Sequence, residues 1–151
     1  MRAMQGILAA ALVLVCAPAL AGPAVYTADG KVAIAGADPV AYFTDGKPVA
    51  GKPDIAHAWG GVTWRFASAA NRDAFAAEPS RYAPQYGGFC AWAVSNNYTA
   101  KIDPDAWSIV DGRLYLNYDK SIQSRWTLDK PGNITKADAN WPGIKTKLMA
   151  K

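Results

Sequence analysis

The chain has 151 residues, of which 51% are hydrophobic and 19% charged, with 13 Gly, 10 Pro and a formal net charge of +4. That composition excludes a disordered tail, a collagen and a coiled coil, and a mean hydropathy of −0.05 excludes a polytopic membrane protein. One globular domain is expected, large enough to bury a core without disulfide or metal staples.

Met1-Arg2-Ala3-Met4-Gln5 is a short basic start, Gly6 to Val15 is an apolar run, and Ala19-Leu20-Ala21 fits a small-x-small cleavage pattern. Residues 1–21 therefore read as a secretory signal peptide, leaving residues 22–151 as the domain and the periplasm as the expected location. The apolar run is too short to span a bilayer, and no later segment supplies a transmembrane helix. Cys16 follows Val13-Leu14-Val15 as a lipidated cysteine would, but Val15 stands where a small residue is wanted, so Cys16 is expected to leave with the leader. Loss of Arg2 lowers the charge to +3. The remaining basic residues are scattered, with no block of five, which makes nucleic acid a poor partner.

Within the domain, Lys31-Val32-Ala33-Ile34 alternates between Gly30 and Gly36 and predicts a short strand. Asp38-Pro39 predicts a helix start through Phe43, with Asp38 as N-cap. Ile55 to Trp59 and Val62 to Phe66, joined by Gly60-Gly61, predict a β-hairpin that places His57 on its more apolar face. Ser68 predicts the cap of a helix through Phe75 that closes at Glu78-Pro79, and Ser80 to Pro84 a further short turn. Gly87-Gly88 predicts a tight bend just before Cys90. The periodicity of Phe89 to Ser95 leaves helix and strand open. Trp107 to Val110, Asp111-Gly112 and Arg113 to Tyr118 predict a second hairpin. Asp119 predicts a helix cap, with Ile122, Trp126 and Leu128 on the helix and Pro131-Gly132 as its stop; a last helix is expected from Thr135 to Asn140, meeting Trp141-Pro142, which either ends the ordered chain or docks it. The fold class is thus a small single α+β domain with two antiparallel β-hairpins and several short helices. No internal repeat reads from the residues, and no linker divides the chain.

Counting removes most catalytic chemistries. The chain has one His, no Gly-x-Ser-x-Gly, no phosphate loop and no Cys-x-x-Cys. With the leader gone a single thiol remains, Cys90, so an internal disulfide and a dithiol cycle are both impossible. A closed zinc site wants about four ligands, and one Cys with one His do not supply them. Two soft ligands do suffice for cuprous copper, which makes Cys90 and His57 the candidate metal ligands if the fold joins them. Against this stand a hydrogen-bonded core imidazole for His57 and an inert buried thiol for Cys90. The 6 Trp, 7 Tyr and 4 Phe all follow residue 21 and serve either as core or as a ligand surface.

Four segments taken in order carry a resemblance: Asp38-Pro39-Val40-Ala41-Tyr42-Phe43; Trp64 to Phe75; Tyr82-Ala83-Pro84-Gln85-Tyr86-Gly87-Gly88-Phe89-Cys90-Ala91; and Asp111 to Tyr118. Together they resemble the exported YHS domain-containing proteins, from about Val32 to Trp141. The resemblance implies a small α+β, YHS-like domain related to metal-binding modules. Such modules carry a Cys after Asp-Pro-Val and a Phe-Cys-Ser-x-x-Cys run; the matching positions are Ala41, Ala67 and Asn71, so those thiolates are absent.

Three readings follow. The first is a periplasmic protein that binds copper or another soft metal, or responds to redox, through Cys90 with His57. The second is a non-catalytic interaction module that has lost the metal site and meets a partner protein or ligand through an aromatic surface. A thiol enzyme using Cys90 ranks third.

Overall fold

A computed structural model describes residues 23–151. The expected signal peptide and Cys16 lie outside the described residues. Two tight turns organise the chain. Gly60 and Gly61 have φ of 64° and 79°, and Asp111 and Gly112 have φ of 51° and 74°, so each turn holds two consecutive left-handed residues as primed hairpin turns require. They join β1 (Lys52–Trp59) to β2 (Val62–Phe66) and β3 (Asp103–Val110) to β4 (Arg113–Asn117), two separate antiparallel sheets of two strands each. The α+β class and both hairpins stand as the sequence pattern implies.

Each hairpin follows a short helix and precedes a longer one. α1 (Ala41–Thr44) comes before the first, and α2 (Ala69–Ala77) and α3 (Pro79–Tyr82) come after it. α4 (Ala91–Ser95) comes before the second, with α5 (Lys120–Thr127) and α6 (Lys130–Met149) after it. Ser68 caps α2 by accepting the Asn71 N–H on Oγ at 3.1 Å, and Asp119 caps α5 by accepting the Ile122 N–H on Oδ1 at 2.7 Å.

These parallels reveal an internal repeat that the sequence pattern hides. The first unit, residues 34–77, recurs in residues 85–128 at a constant spacing of 51. Lys52 pairs with Phe66 as Asp103 pairs with Asn117, and His57 pairs with Trp64 as Ser108 pairs with Tyr115. Both hairpins are irregular at the same place, between Lys52 and Ala56 and between Asp103 and Trp107. Pro53 and Pro104 fall there, where the ladder does not need their missing N–H. The 3-10 turns Ile34–Gly36 and Gln85–Gly88 that open the units share left-handed residues at Ala35 and Tyr86. The helix positions that bury an aromatic ring are Phe75 and Trp126.

Side chains of β4 alternate between two cores. Leu114 and Leu116 join Trp64, Phe66 and Phe75, whereas Tyr115 joins Tyr86, Trp126, Ala137 and Ile144. The units also meet at Tyr42, whose hydroxyl donates to the Pro104 carbonyl at 2.8 Å while its ring lies against Trp107.

Four local expectations need correction. Lys31 to Ile34 is not a strand: Val32 and Ala33 make single bridges to Thr63 and Thr27, and Ile34 and Ala35 then turn left-handed. Pro131-Gly132 opens α6 instead of stopping α5. Asp129 caps that helix by accepting the Gly132 N–H, and a first-turn proline lacks only an N–H that would have no helical partner. Trp141-Pro142 does not end the chain's helix. Ile144 and Leu148 pack beyond it, and their burial offsets the ~3 kcal/mol that an interior proline costs. Leu128 is not within α5 but is the C-cap residue past its end, 87% exposed.

Candidate functional site

Three places gather the residues that could do chemistry. At the first, Asp38 is fully buried and all its contacts are satisfied. Its Oδ1 accepts the Val40 and Ala41 N–H groups at 2.9 and 3.2 Å, and its Oδ2 accepts the Ala67 N–H and the Asn71 side-chain amide, each at 2.8 Å. The positions where the family resemblance puts thiolates, Ala41, Ala67 and Asn71, therefore come together in space around this carboxylate. Two backbone amides and a carboxamide stand there instead of sulfur, and they leave a closed hydrogen-bonded knot.

Cys90 forms the second place. It is the N-cap residue of α4, which decides for helix over strand in the segment that periodicity left open. The side chain is 1% exposed and its Sγ–H donates to Asn117 Oδ1 at 3.6 Å, while its own N–H donates to the Ala100 carbonyl at 3.2 Å. Burial pushes the thiol pKa up, and the N–H groups of Ala93, Tyr118 and Trp92 offset only part of that. A raised pKa is the opposite of what an activated nucleophile or a ready metal thiolate has. Asn117 is also fully buried; its Oδ1 accepts the Trp92 N–H at 3.0 Å, and its Nδ2 has no partner in the protein.

His57 sits elsewhere on the scaffold. It lies mid-strand on β1 opposite Trp64, half-buried, with its ring edge-to-face to Phe75 at 6.2 Å. This is the apolar face of the hairpin, as the alternation implies. The His57 ring packs on Phe75 of α2, whereas the hydrogen bonds of Cys90 run to Asn117 of β4 and to Ala100; Cys90 and Phe75 belong to the same hydrophobic core. Among the described residues, no group of three or more His, Cys, Asp and Glu side chains is arranged to hold a metal ion.

The third place is a groove of about 520 Å³ between the first hairpin turn, the Gln85–Gly88 turn, the chain at Pro23 to Val25 and α6. Trp59 and Trp141 supply aromatic surface, with the buried Trp64 and Tyr86 also in the lining; Pro23, Pro84 and Met149 add apolar surface, and Ser80, Gln85 and Lys145 are the polar side chains. Local backbone chemistry builds it. Tyr86 adopts φ 59°, and a Cβ on Gly87 would run into the Ala24 carbonyl, so only glycine lets the N-terminal segment lie against this turn. The Tyr26 N–H donates to the Gly87 carbonyl at 2.8 Å and fixes the approach. The Tyr86 hydroxyl donates to Asp138 Oδ1 at 2.9 Å and ties the turn to α6. Burial raises the Tyr86 pKa, so the phenol stays a neutral donor.

Reading the residues in order marks Cys90 and His57 but misses this groove. One signal was present: Trp141, Lys145 and Met149 recur every fourth residue and so share one face of a helix. The expected helix end at Pro142 cut that stripe in two.

Comparison with protein-family models, with curated proteins and with solved structures finds no match for this chain.

Proposed function

We propose that the protein is a non-catalytic binding module, kin to the exported YHS domain-containing proteins and working in the periplasm, whose ligand occupies the groove between Trp59 and Trp141. One observation carries this reading: the place of the family thiolates is filled by the closed Asp38 knot, while the aromatic groove is open. Its volume lies inside the ~300–1,000 Å³ usual for small-molecule sites, and a mostly apolar lining with a few polar groups is their usual chemistry. Cys90, sealed against Asn117, then serves structure.

Tryptophan emission tests the proposal, because Trp59 and Trp141 line the groove. Titration with 3-phenylpropan-1-ol, a neutral aromatic probe, is expected to quench emission saturably. Met149→Ala and Trp141→Ala, each checked for folding by circular dichroism, are expected to weaken it several-fold. Absence of any saturable change in the wild type would overturn the reading. Soft-metal binding through Cys90 with His57 is the competing reading, and metal analysis of the purified protein and its Cys90→Ser variant decides it. Copper present in the wild type, lost in the variant, and accompanied by no probe binding would put that reading in place of the groove.

A further inference from the structure

The groove carries charge of one sign only. Its lining includes one ionised side chain, Lys145, and no Asp or Glu. The ion pairs among the described residues are Arg72 with Asp73 and Arg81 with Glu78, which leaves the Lys145 ammonium without an acidic partner there. Asp138, the acid nearest along the helix face, already accepts the Tyr86 hydroxyl.

From this we infer that the groove selects a small apolar molecule bearing one carboxylate, with its body against Trp59 and Trp141 and its carboxylate on Lys145. The inference rests on the groove reading above and narrows it. Trp141, Lys145 and Met149 stand one helical turn apart on one face of α6, so a ring-sized apolar body beside Trp141 or Met149 leaves an acid within reach of the ammonium between them. Aromatic walls exclude water on one side and strengthen that attraction over its value in bulk solvent. A cationic ligand would meet like charge and no carboxylate, and a neutral one would gain at most a hydrogen bond from Lys145, without the charge attraction. A single flexible ammonium is a point charge and suits one monoanionic group; it lacks the fork that planar bidentate recognition uses.

Three probes of one shape test this on the full chain at low ionic strength: 3-phenylpropanoate, 3-phenylpropan-1-ol and protonated 3-phenylpropan-1-amine. The acid is expected to bind about twofold to fivefold more tightly than the alcohol, the range of a solvent-exposed ion pair, and the amine most weakly. Lys145 is exposed, so Lys145→Gln leaves the fold in place. That variant is expected to abolish the acid's advantage over the alcohol, as is 0.5 M salt with the wild type. Equal binding of acid and alcohol by the wild type, or an acid preference that survives Lys145→Gln, would overturn the carboxylate inference while the groove stands. Failure of all three probes would remove the groove with it.

Discussion

The two units of the repeat solve the same backbone problem with different side chains. In the first, the N–H of Ala41 at the start of α1 is satisfied by Asp38 Oδ1, from a residue just before the helix. In the second, the equivalent N–H belongs to Trp92 at the start of α4, and Asn117 Oδ1 accepts it from the end of β4. The Asp38 position is Phe89 in the second unit, and the Asn117 position is Phe66 in the first. A helix start leaves amide hydrogens that burial will not tolerate unpaired, so the need is constant while the residue that meets it moves. The exchange also separates the chemistry. The first unit holds a fully paired carboxylate, and the second holds a thiol beside a carboxamide with one unpaired donor.

Core truncation at equivalent positions is the strongest test of that comparison. Phe75→Ala removes a ring lying against Trp59, Trp64 and Phe66, and Trp126→Ala removes one lying tilted against Tyr115. Each is expected to cost ~3–5 kcal/mol in urea unfolding followed by circular dichroism. A loss under ~1 kcal/mol at either site would mean that its unit does not fold around that ring. Next comes Asp38→Ala, which strands three backbone amides and the Asn71 amide in the interior. About 3 kcal/mol is expected. Asn117→Ala strands chiefly the Trp92 amide and also removes an unsatisfied donor, so ~1–2 kcal/mol is expected. If Asn117→Ala proves the costlier, the carboxylate knot is not the firmer of the two capping solutions.

How much of this was legible in the residues follows from what each element depends on. Both hairpins, the caps at Ser68 and Asp119 and the apolar side of His57 depend on local chemistry, namely turn glycines, cap side chains and alternation, and so they read directly. The repeat does not, because residues 34–77 and 85–128 coincide only at Gly36 and Gly87, Pro53 and Pro104, Asp54 and Asp105, and Gly61 and Gly112. What the units share is conformation at turns and bulges, which many sequences can meet. The path of α6 does not read from the residues, because Pro131 and Pro142 look alike as breakers. Only tertiary burial of Ile144 and Leu148 distinguishes a proline that opens a helix from one that a packed helix tolerates. With α6 broken the groove has no second wall, whereas Cys90 and His57 stand out by residue type alone. The convergence of positions 41, 67 and 71 on Asp38 links residues distant along the chain and needs the fold to be seen.

The matched caps test the units at smaller scale. Ser68→Ala and Asp119→Ala each remove one acceptor from the third helical N–H of α2 and α5, and each is expected to cost ~1 kcal/mol. Asp119 carries charge at the positive end of its helix, so its variant is expected to be the more costly of the two at low salt. Equal losses that do not respond to salt would reduce both to hydrogen bonds alone.

Cys90 supplies the finest contrast, because the first unit has Pro39 at the same position and nothing there to titrate. Its thiol pKa is raised in the folded protein, chiefly by burial. Above the ordinary thiol value of about 8.5 the unfolded chain releases this proton while the folded chain keeps it. The unfolded state then binds fewer protons, and stability falls as pH rises. Between pH ~8.5 and ~10 the wild type is therefore expected to lose stability more steeply than Cys90→Ala, when urea midpoints are followed across that range. Beyond pH ~10, Tyr42, Tyr86 and Tyr115 add to the loss in both proteins, because burial raises each of them and the unfolded tyrosines ionise first. A thiol activated for catalysis or held ready as a metal thiolate would have a depressed pKa and the opposite slope, with stability gained as pH rises toward 8.5. The sign of the difference between wild type and variant, more than its size, therefore separates a structural Cys90 from a reactive one.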